Sequence, residues 1–504
     1  MLRPAVPDPS RPLPLHAVSA TRAIEAAAAA ILPPHTLMQR AGLAVARLAR
    51  ALAPHARTIW IACGPGNNGG DGLEAAAQLQ GLGSSVVVTW LGDPDRASPD
   101  TRASLARAQA AGVGFAPAPP DGLTPRDLCI DALLGIGARR APQGRMAEWI
   151  AAMNASAAPT LAVDVPTGLS ADTGSTLISG AQSDHLAPGS SVIHAKFTLS
   201  LLTLKPGLFT ALGRDTAGTV WWDDLDMPPP AESAVAELRA TPPRPPRPQA
   251  SHKGHWGDIA VIGGEGLARR GRGMTGAAQL AATAALHAGA GRVMLCLLDE
   301  GALSALPEQA ELMLRRFEAI DPQRSTVVCG CGGGEAVQTV LPEVLEHSAR
   351  LVLDADALNR IAADAELRTR LQRRQQSHRA TVLTPHPLEA ARLLGTDAHS
   401  VQADRIAAAR ALVAAFGCTV ILKGSGSIIA APDRTPVINT TGNARLATGG
   451  TGDVLAGLCG ARLAVVPDPF EAAVTAVQEH GAAADHFPPA QALTALRLAQ
   501  ALQP

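Results

Sequence analysis

The chain has 504 residues, with Lys+Arg 43 against Asp+Glu 44 and a formal net charge of -1. That balance gives no electrostatic case for a nucleic-acid or membrane partner, so an anionic ligand must be held by local devices. The length exceeds one ordinary core and predicts two or three domains.

A hydrophobic fraction of 47% with 17% charged residues describes a soluble globular protein. Cys63, Cys129, Cys296, Cys329, Cys331, Cys418 and Cys459 are scattered, mostly inside apolar runs. They read as reduced, buried thiols of a cytoplasmic protein without a structural metal. Cys329-Gly-Cys331 lacks the second ligand pair that a metal or redox site needs. No apolar run reaches the roughly 18 to 20 residues of a spanning helix, and residues 1–11 hold prolines and no apolar signal core.

In chain order, an Ala-rich helix is followed by Leu37-Met-Gln-Arg-Ala-Gly42 and a helix over residues 43–52. A strand at 58–63 runs into Gly64-Pro-Gly-Asn-Asn-Gly-Gly-Asp-Gly72, read as a loop, before a helix at 73–80. Residues 85–90, 127–131 and 160–164 are short apolar runs of the kind buried in parallel sheets. Strands alternating with helices predict a doubly wound α/β sheet, which binds ligands at the carboxyl ends of its strands. The glycines of 64–72 allow close backbone approach to a phosphate, with Asn67, Asn68 and Asp71 adding polar groups. Asn68, Asp131 and Thr167 present oxygens at three strand ends, a set suited to a hard cation. Each alone reads better as a cap or turn, and it is their shared edge that favours a site. The Gly64 loop matches G-x-G-x-x-G in letters, but no acidic residue ends the next strand, which argues against a hydride-transferring dehydrogenase.

The segments Gly-Pro-Gly-Asn-Asn-Gly-Gly-Asp-Gly, Asp131-Ala-Leu-Leu-Gly-Ile-Gly137, Val163-Asp-Val-Pro-Thr-Gly-Leu169 and Thr203-Leu-Lys-Pro-Gly207 resemble the NAD(P)H-hydrate epimerase family. That resemblance covers about residues 20–225. Pro228-Pro-Pro230 and Thr241-Pro-Pro-Arg-Pro-Pro-Arg-Pro248 then predict a semi-rigid spacer. The expected division is an epimerase-like domain at 1–227, a linker at 228–250 and a second domain at 251–504.

The second half opens with His252-Lys-Gly-His-Trp-Gly257 and a strand at 258–264, then a glycine- and arginine-rich loop at 265–273 and a helix at 274–288. Further strands are expected at 292–298, 325–329, 351–354, 380–384 and 419–423, again in α/β alternation. Asp354, Asp356 and Asn359 follow one strand, and His386 sits between two prolines after another. Lys423-Gly-Ser-Gly-Ser427 is a glycine loop suited to a nucleotide. Asn443-Ala-Arg-Leu-Ala-Thr-Gly-Gly-Thr-Gly-Asp453 reads as a nest of N–H groups at a helix N-terminus, where a phosphate binds well. A carboxylate beside an anion hole is electrostatically awkward unless Asp453 is a base for an incoming hydroxyl. The order of these segments is similar to the ADP-dependent NAD(P)H-hydrate dehydratases of the ribokinase-like superfamily, over about residues 251–483.

The joint resemblance implies a Rossmann-like doubly wound sheet fused to a ribokinase-like α/β/α domain. It implies a bifunctional enzyme that interconverts the R and S hydrates of NADH and NADPH (NADHX and NADPHX) and dehydrates the S form while ADP becomes AMP and phosphate. It places Asn67, Asn68, Gly69, Gly70, Asp71, Gly135, Ile136, Gly137, Ala138, Arg139, Arg140, Ala141 and Asp164 on the epimerase substrate, and Asn68, Asp131 and Thr167 on K+. In the dehydratase it places Ala277, Gly332, His386 and Asp453 on the substrate, and Lys423, Gly424, Ser425, Gly426, Ser427 and Gly452 on ADP or AMP. Mg2+ bridging the phosphates and a homo-oligomeric state are also expected. Asp164 is the expected epimerase acid/base and Asp453 the dehydratase base. Gly330-Cys331-Gly332 departs from the family's Gly-Pro-Gly, and the 265–273 arginines are read as solvated. The alternative is a ribokinase-like kinase for a vitamin precursor, fused to a ligand-binding scaffold domain.

Overall fold

The computed structural model of the chain describes residues 2–177, 191–230, 233–242, 244, 246–298, 306 and 309–504. It divides into two compact units, Met1–Pro7 with Pro12–Glu237 and Asp8–Arg11 with Leu238–Pro504.

The first unit contains β1 (Arg3–Pro4), β2 (Leu13–Leu15), β3 (Ile59–Cys63), β4 (Val86–Trp90), β5 (Gly114–Phe115), β6 (Leu128–Ala132), β7 (Thr160–Val163), β8 (Phe197–Leu201) and β9 (Thr219–Asp223). Apart from β2 these make one sheet in the order β1-β9-β8-β7-β6-β3-β4-β5. All neighbours are parallel except β1 against β9. Period-2 alternation sends Ile59, Ile61, Leu128, Ile130 and Leu161 into one core, and Trp60, Ala62, Cys129 and Ala162 into another on the opposite face. Both faces are therefore covered, as the doubly wound reading requires.

One expectation fails locally. The stretch 67–72 is not loop: the helix Asn67–Gly81 begins there. A side chain at position 69 would lie 2.0 Å from the Gly64 carbonyl oxygen, and one at position 72 would lie 2.5 Å from Ala132 Cβ. These glycines serve tight helix-to-sheet packing, which overrides their poor helix propensity.

β10 (Ala236–Leu238) spans the boundary between the units. The second unit holds β11 (Asp258–Gly263), β12 (Arg292–Leu297), β13 (Met313–Leu314), β14 (Thr326–Cys329), β15 (Arg350–Leu353), β16 (Ala380–Leu383), β17 (Thr419–Leu422), β18 (Ile428–Ala430) and β19 (Val437–Ile438). They run in the order β13-β12-β11-β14-β15-β16-β17-β18-β19. Pairing is parallel as far as β17 and antiparallel from β17 through β18 to β19. The helices Thr275–His287, Thr451–Val465 and Pro469–His486 supply Ala281, Leu458 and Val474 to the core against Val261, Val328 and Val352.

The proline-rich stretch is pinned by its arginines. Arg239 grips Glu471 with two hydrogen bonds of 3.0 Å, Arg244 meets Glu479 at 2.9 Å, and Arg247 stacks 4.0 Å over the Trp256 ring. At Arg239, Arg244 and Arg247 the stretch is thus tied to the second unit and is not a free spacer.

Candidate active sites

In the first unit, Asp131, Asp164 and the start of the helix Asn67–Gly81 meet at the carboxyl ends of β3, β6 and β7. Asp164 and the helix start border a cavity of about 510 Å³ lined by Asn67, Asn68, Asp71, Gly135, Asp164 and Lys205, together with Ile136, Gly137 and Ala138. Asp164 has φ +68°, a left-handed conformation that is costly for a non-glycine residue. It is held there by its N–H donating to the Leu199 carbonyl at 2.7 Å. Such strain is tolerated where the turn aims a side chain at a site. Asp164 Oδ1 accepts from the Lys205 ammonium, which is fully buried and also donates to the Leu201 carbonyl at 2.6 Å. Oδ2 is turned toward Gly135 and Ile136, with the Ile136 N–H 3.4 Å away.

Not every expected residue is at the cavity. Gly69 and Gly70 are buried in helix packing. Arg139 and Arg140 are exposed, and neither they nor Ala141 line it. Conversely, Thr21, Arg22 and Glu25 of the helix Val18–Ile31 do line it, and so does Lys205. An Ala-rich helix carries no motif that would announce this.

Asp131 and Thr167 are brought together. The fully buried Asp131 carboxylate accepts the Thr167 hydroxyl at 2.7 Å, the Thr167 N–H at 2.8 Å and the Leu133 N–H at 3.1 Å. Burial pushes Asp131 up to about 6 against those hydrogen bonds. Asn68 lies nearby against Gly135, and its Nδ2 is buried without a partner. The Asp131 carboxylate and the side-chain oxygens of Asn68 and Thr167 are hard oxygen donors of the kind an alkali cation takes, whereas the unpartnered Asn68 Nδ2 is a hydrogen-bond donor and supplies no ligand atom.

In the second unit the helix Thr451–Val465 starts behind Gly450, whose φ of +92° turns the chain into it. Thr451 Oγ1 donates to the carbonyls of Leu446 and Thr448, at 2.8 and 2.9 Å. His480, which burial lowers to about 4 and so keeps neutral, places Nε2 2.9 Å from the Thr451 carbonyl. Thr448 and Gly449 are exposed, so the nest is open.

Asp453 lies in that helix's first turn. Ligand atoms of Cys331, Asp354 and Asp453 all fall within 4.8 Å of one another. Burial and the Asp354 carboxylate raise Asp453 to about 6. Lys423 Nζ is 2.7 Å from Asp354 Oδ1 and 3.9 Å from Glu389 Oε2. Burial alone would lower this ammonium, but Asp354 and Glu389 outweigh it and raise it. A side chain at position 452 would come 3.3 Å from Lys423 Nζ, so the cation sits beneath the nest. Gly424, Ser425, Gly426 and Ser427 form the turn between β17 and β18, with Gly424 and Ser425 exposed. Ser427 Oγ donates to the Gly424 carbonyl at 3.1 Å.

His386 caps the helix Pro387–Leu394, its Nδ1 accepting the Leu388 and Glu389 N–H groups at 3.1 and 3.3 Å. Its Nε2 lies 3.2 Å from Glu389 Oε1. Burial and Lys423 lower His386, and burial raises Glu389 to about 7. Gly332 packs on the start of the helix Thr275–His287, where a side chain would lie 2.9 Å from Ala277 Cβ. Asn359 turns instead to Arg392 at 2.7 Å, and Asp356 accepts the Gly334 N–H at 2.8 Å. Cys331 faces the two carboxylates, and burial followed by Asp453 pushes its thiol well up. In the loop 265–273, Arg270 is not free in solvent: it pairs at 2.6 Å with Glu265, which is fully buried.

Residues 260–504 match the NAD(P)H-hydrate dehydratase family, and residues 34–207 match the family described as YjeF-related protein N-terminus. A bifunctional NAD(P)H-hydrate repair enzyme of Escherichia coli (strain K12) is 36% identical over 472 residues, covering 90% of this chain and 85% of that one. The chain belongs to the bifunctional NAD(P)H-hydrate repair enzyme family. An ADP-dependent (S)-NAD(P)H-hydrate dehydratase of Neisseria meningitidis serogroup B is 42% identical over 50% of this chain and 85% of its own. A solved structure of the ADP/ATP-dependent NAD(P)H-hydrate dehydratase from Bacillus subtilis, co-crystallised with ATP and Mg2+, is 30% identical. It covers 51% of this chain and 92% of that one, with a TM-score of 0.42.

As the base that the sequence leads one to expect, Asp453 would have to be ionised to accept a proton. With its carboxyl raised to about 6 by burial, Asp354 and, more weakly, Asp356, and opposed by Cys331 and Lys423, ADP-dependent turnover falls as pH drops below that value. The slope approaches about tenfold per pH unit, measured as kcat/KM for the S hydrate from pH 8 to pH 5.

Proposed function

We propose that the second unit dehydrates the S hydrate of NADH or NADPH at the expense of ADP, and that the first unit supplies S from R by epimerisation. The observation that carries the reading is Asp453, raised by burial beside Asp354, in the first turn behind the Gly450 nest and close to the Lys423 ammonium.

Hydroxide is a poor leaving group. In the proposed sequence the C6 hydroxyl gives its proton to Asp453 as its oxygen attacks the β-phosphate of ADP, and AMP leaves. Phosphate then leaves C6 as a proton is lost from C5, which restores the reduced nicotinamide. The N–H groups of residues 448–452 and Lys423 lie where they would meet phosphate charge. Gly424, Ser425, Gly426 and Ser427 are assigned to ADP or AMP, and Ala277, Gly332 and His386 to the hydrate. Asp354 is a hard oxygen donor of the type Mg2+ takes, whereas the Cys331 thiol is not. When bound, Mg2+ neutralises phosphate charge. In the first unit Asp164 is the acid/base, and Asn68, Asp131 and Thr167 are assigned to K+. Seven cysteines, all free and buried, support a reducing, cytoplasmic setting.

The test incubates the chain with chemically hydrated NADH and each nucleoside diphosphate or triphosphate, following both epimers by chromatography. Both epimers disappearing with ADP while reduced nicotinamide absorbance recovers is the expected result. A phosphorylated alcohol accumulating in solution would instead favour the kinase. Replacing K+ by choline should slow conversion of R more than that of S, and equal rates in the two salts would remove K+ from the first site.

A further inference from the structure

One route to inversion at C6 breaks the carbon–oxygen bond on one face of the ring and forms it again on the other, with the ring nitrogen stabilising the cation between. Asp164 serves as only one acid/base, and its Oδ1 is committed to the Lys205 ammonium. On that route a second group is needed to give the leaving hydroxyl its proton. The cavity offers Asp71, four residues after Asn67 on the helix Asn67–Gly81 and so on the same face of it.

We propose that Asp71 is a second catalytic residue of the epimerase site, working as general acid while Asp164 works as base. This rests on the reading of the first unit as an epimerase. The Asp71 carboxyl gives its proton to the C6 hydroxyl, which leaves as water, and the lone pair of the ring nitrogen fills in as a C6–N1 double bond. A water on the other face attacks C6 and loses its proton to Asp164 Oδ2. The two carboxyls then hold one proton between them as before, on the other partner, and solvent returns it. In the S to R direction the roles exchange.

Three features of the site support this. Asp71 and Asp164 line the same cavity, yet among the described residues only Asp164 has a buried ammonium on it. Burial first, and then the carboxylates of Asp164, Glu25, Glu74 and Asp100, push Asp71 well above the usual carboxylate range. A carboxyl held protonated in the cavity wall is placed to act as an acid. The walls also present Glu25 and Asp100, and carboxylates there favour the positive charge that develops on the ring as water leaves.

The experiment uses the intact chain with purified R hydrate of NADH, in water enriched in oxygen-18. Asp71→Asn keeps the shape and a hydrogen-bond donor but has no acid proton. It should lower kcat for R to S by at least about 100-fold with KM changed less than about threefold, and Asp71→Glu should recover part of the rate. The wild-type chain should place one solvent oxygen at C6 per inversion. An R-hydrate binding isotherm within about threefold of wild type shows that the Asn variant is folded. Asp71→Asn turning over within about threefold of wild type, or raising KM alone, overturns the assignment. Inversion without solvent oxygen overturns it too. If wild type fails to accelerate R to S, the epimerase reading itself falls. If Asp164→Asn is inactive while Asp71→Asn is active, only the role of Asp71 falls.

Discussion

Asp453→Asn should abolish ADP-dependent dehydration and leave R-to-S conversion at the wild-type rate. A general base contributes about 10²- to 10⁴-fold, and asparagine accepts no proton from the C6 hydroxyl. The same change should make the second unit more stable at neutral pH. Asp453 is raised from 3.8 to about 6 by burial and by Asp354, so folding disfavours its ionised form. The sign follows from linkage: the penalty is absent below 3.8, grows as pH rises through about 6, and is full above it. The difference corresponds to about 2 to 3 kcal/mol at pH 8, an order of magnitude only. Melting curves of both chains at pH 8 and pH 5 should show the variant's advantage shrinking at the lower pH. An inactive variant that melts below wild type at pH 8 would make Asp453 a structural residue, and a variant that keeps ADP-dependent turnover would remove it as the base.

That pattern separates what motifs can announce from what they cannot. The place of Asp453 in the first turn of a helix was legible because glycines before an apolar run announce a helix N-terminus. Asp131 and Thr167 were legible as a pair of strand ends, since parallel β6 and β7 bring their carboxyl ends side by side. Lys205 was quoted within a motif but given no role, because its use depends on a fold that buries it beneath Asp164. Glu25 lies in an Ala-rich helix whose sequence says only that a helix forms there. The stretch 67–72 was misread as loop because three glycines argue against helix until the packing that needs them is seen. β8, β9, β18 and β19 were not anticipated. β18 and β19 are only three and two residues long, and the alternation that reveals a strand needs more than that. Arg270 looked solvated because its partner, Glu265, only becomes buried when β11 and the loop after β14 close over it.

Lys205→Met should remove epimerisation and destabilise the first unit, and the two effects can be pulled apart. Lys205 is fully buried, bonded to Asp164 and to the Leu201 carbonyl. Removing one member of a buried ion pair leaves a charge without its partner and costs about 3 to 5 kcal/mol. Asp164 would also lose the contact that fixes Oδ1 and points Oδ2 at the cavity, so R-to-S turnover should fall to the spontaneous rate. The double variant Lys205→Met with Asp164→Leu removes both charges and should recover most of the lost stability, because an apolar pair of similar size is often neutral there. It should recover no activity. Calorimetry on the full chain reads the stability, and chromatography of the epimers reads the rate. Dehydration of pure S hydrate should stay at the wild-type level in both variants, since neither substitution lies in the second unit. A double variant as unstable as the single one would mean that Lys205 acts through its bond to Leu201 and not through Asp164. Full epimerase activity in Lys205→Met would show that the strained backbone of Asp164 aims the carboxylate without help from the ammonium.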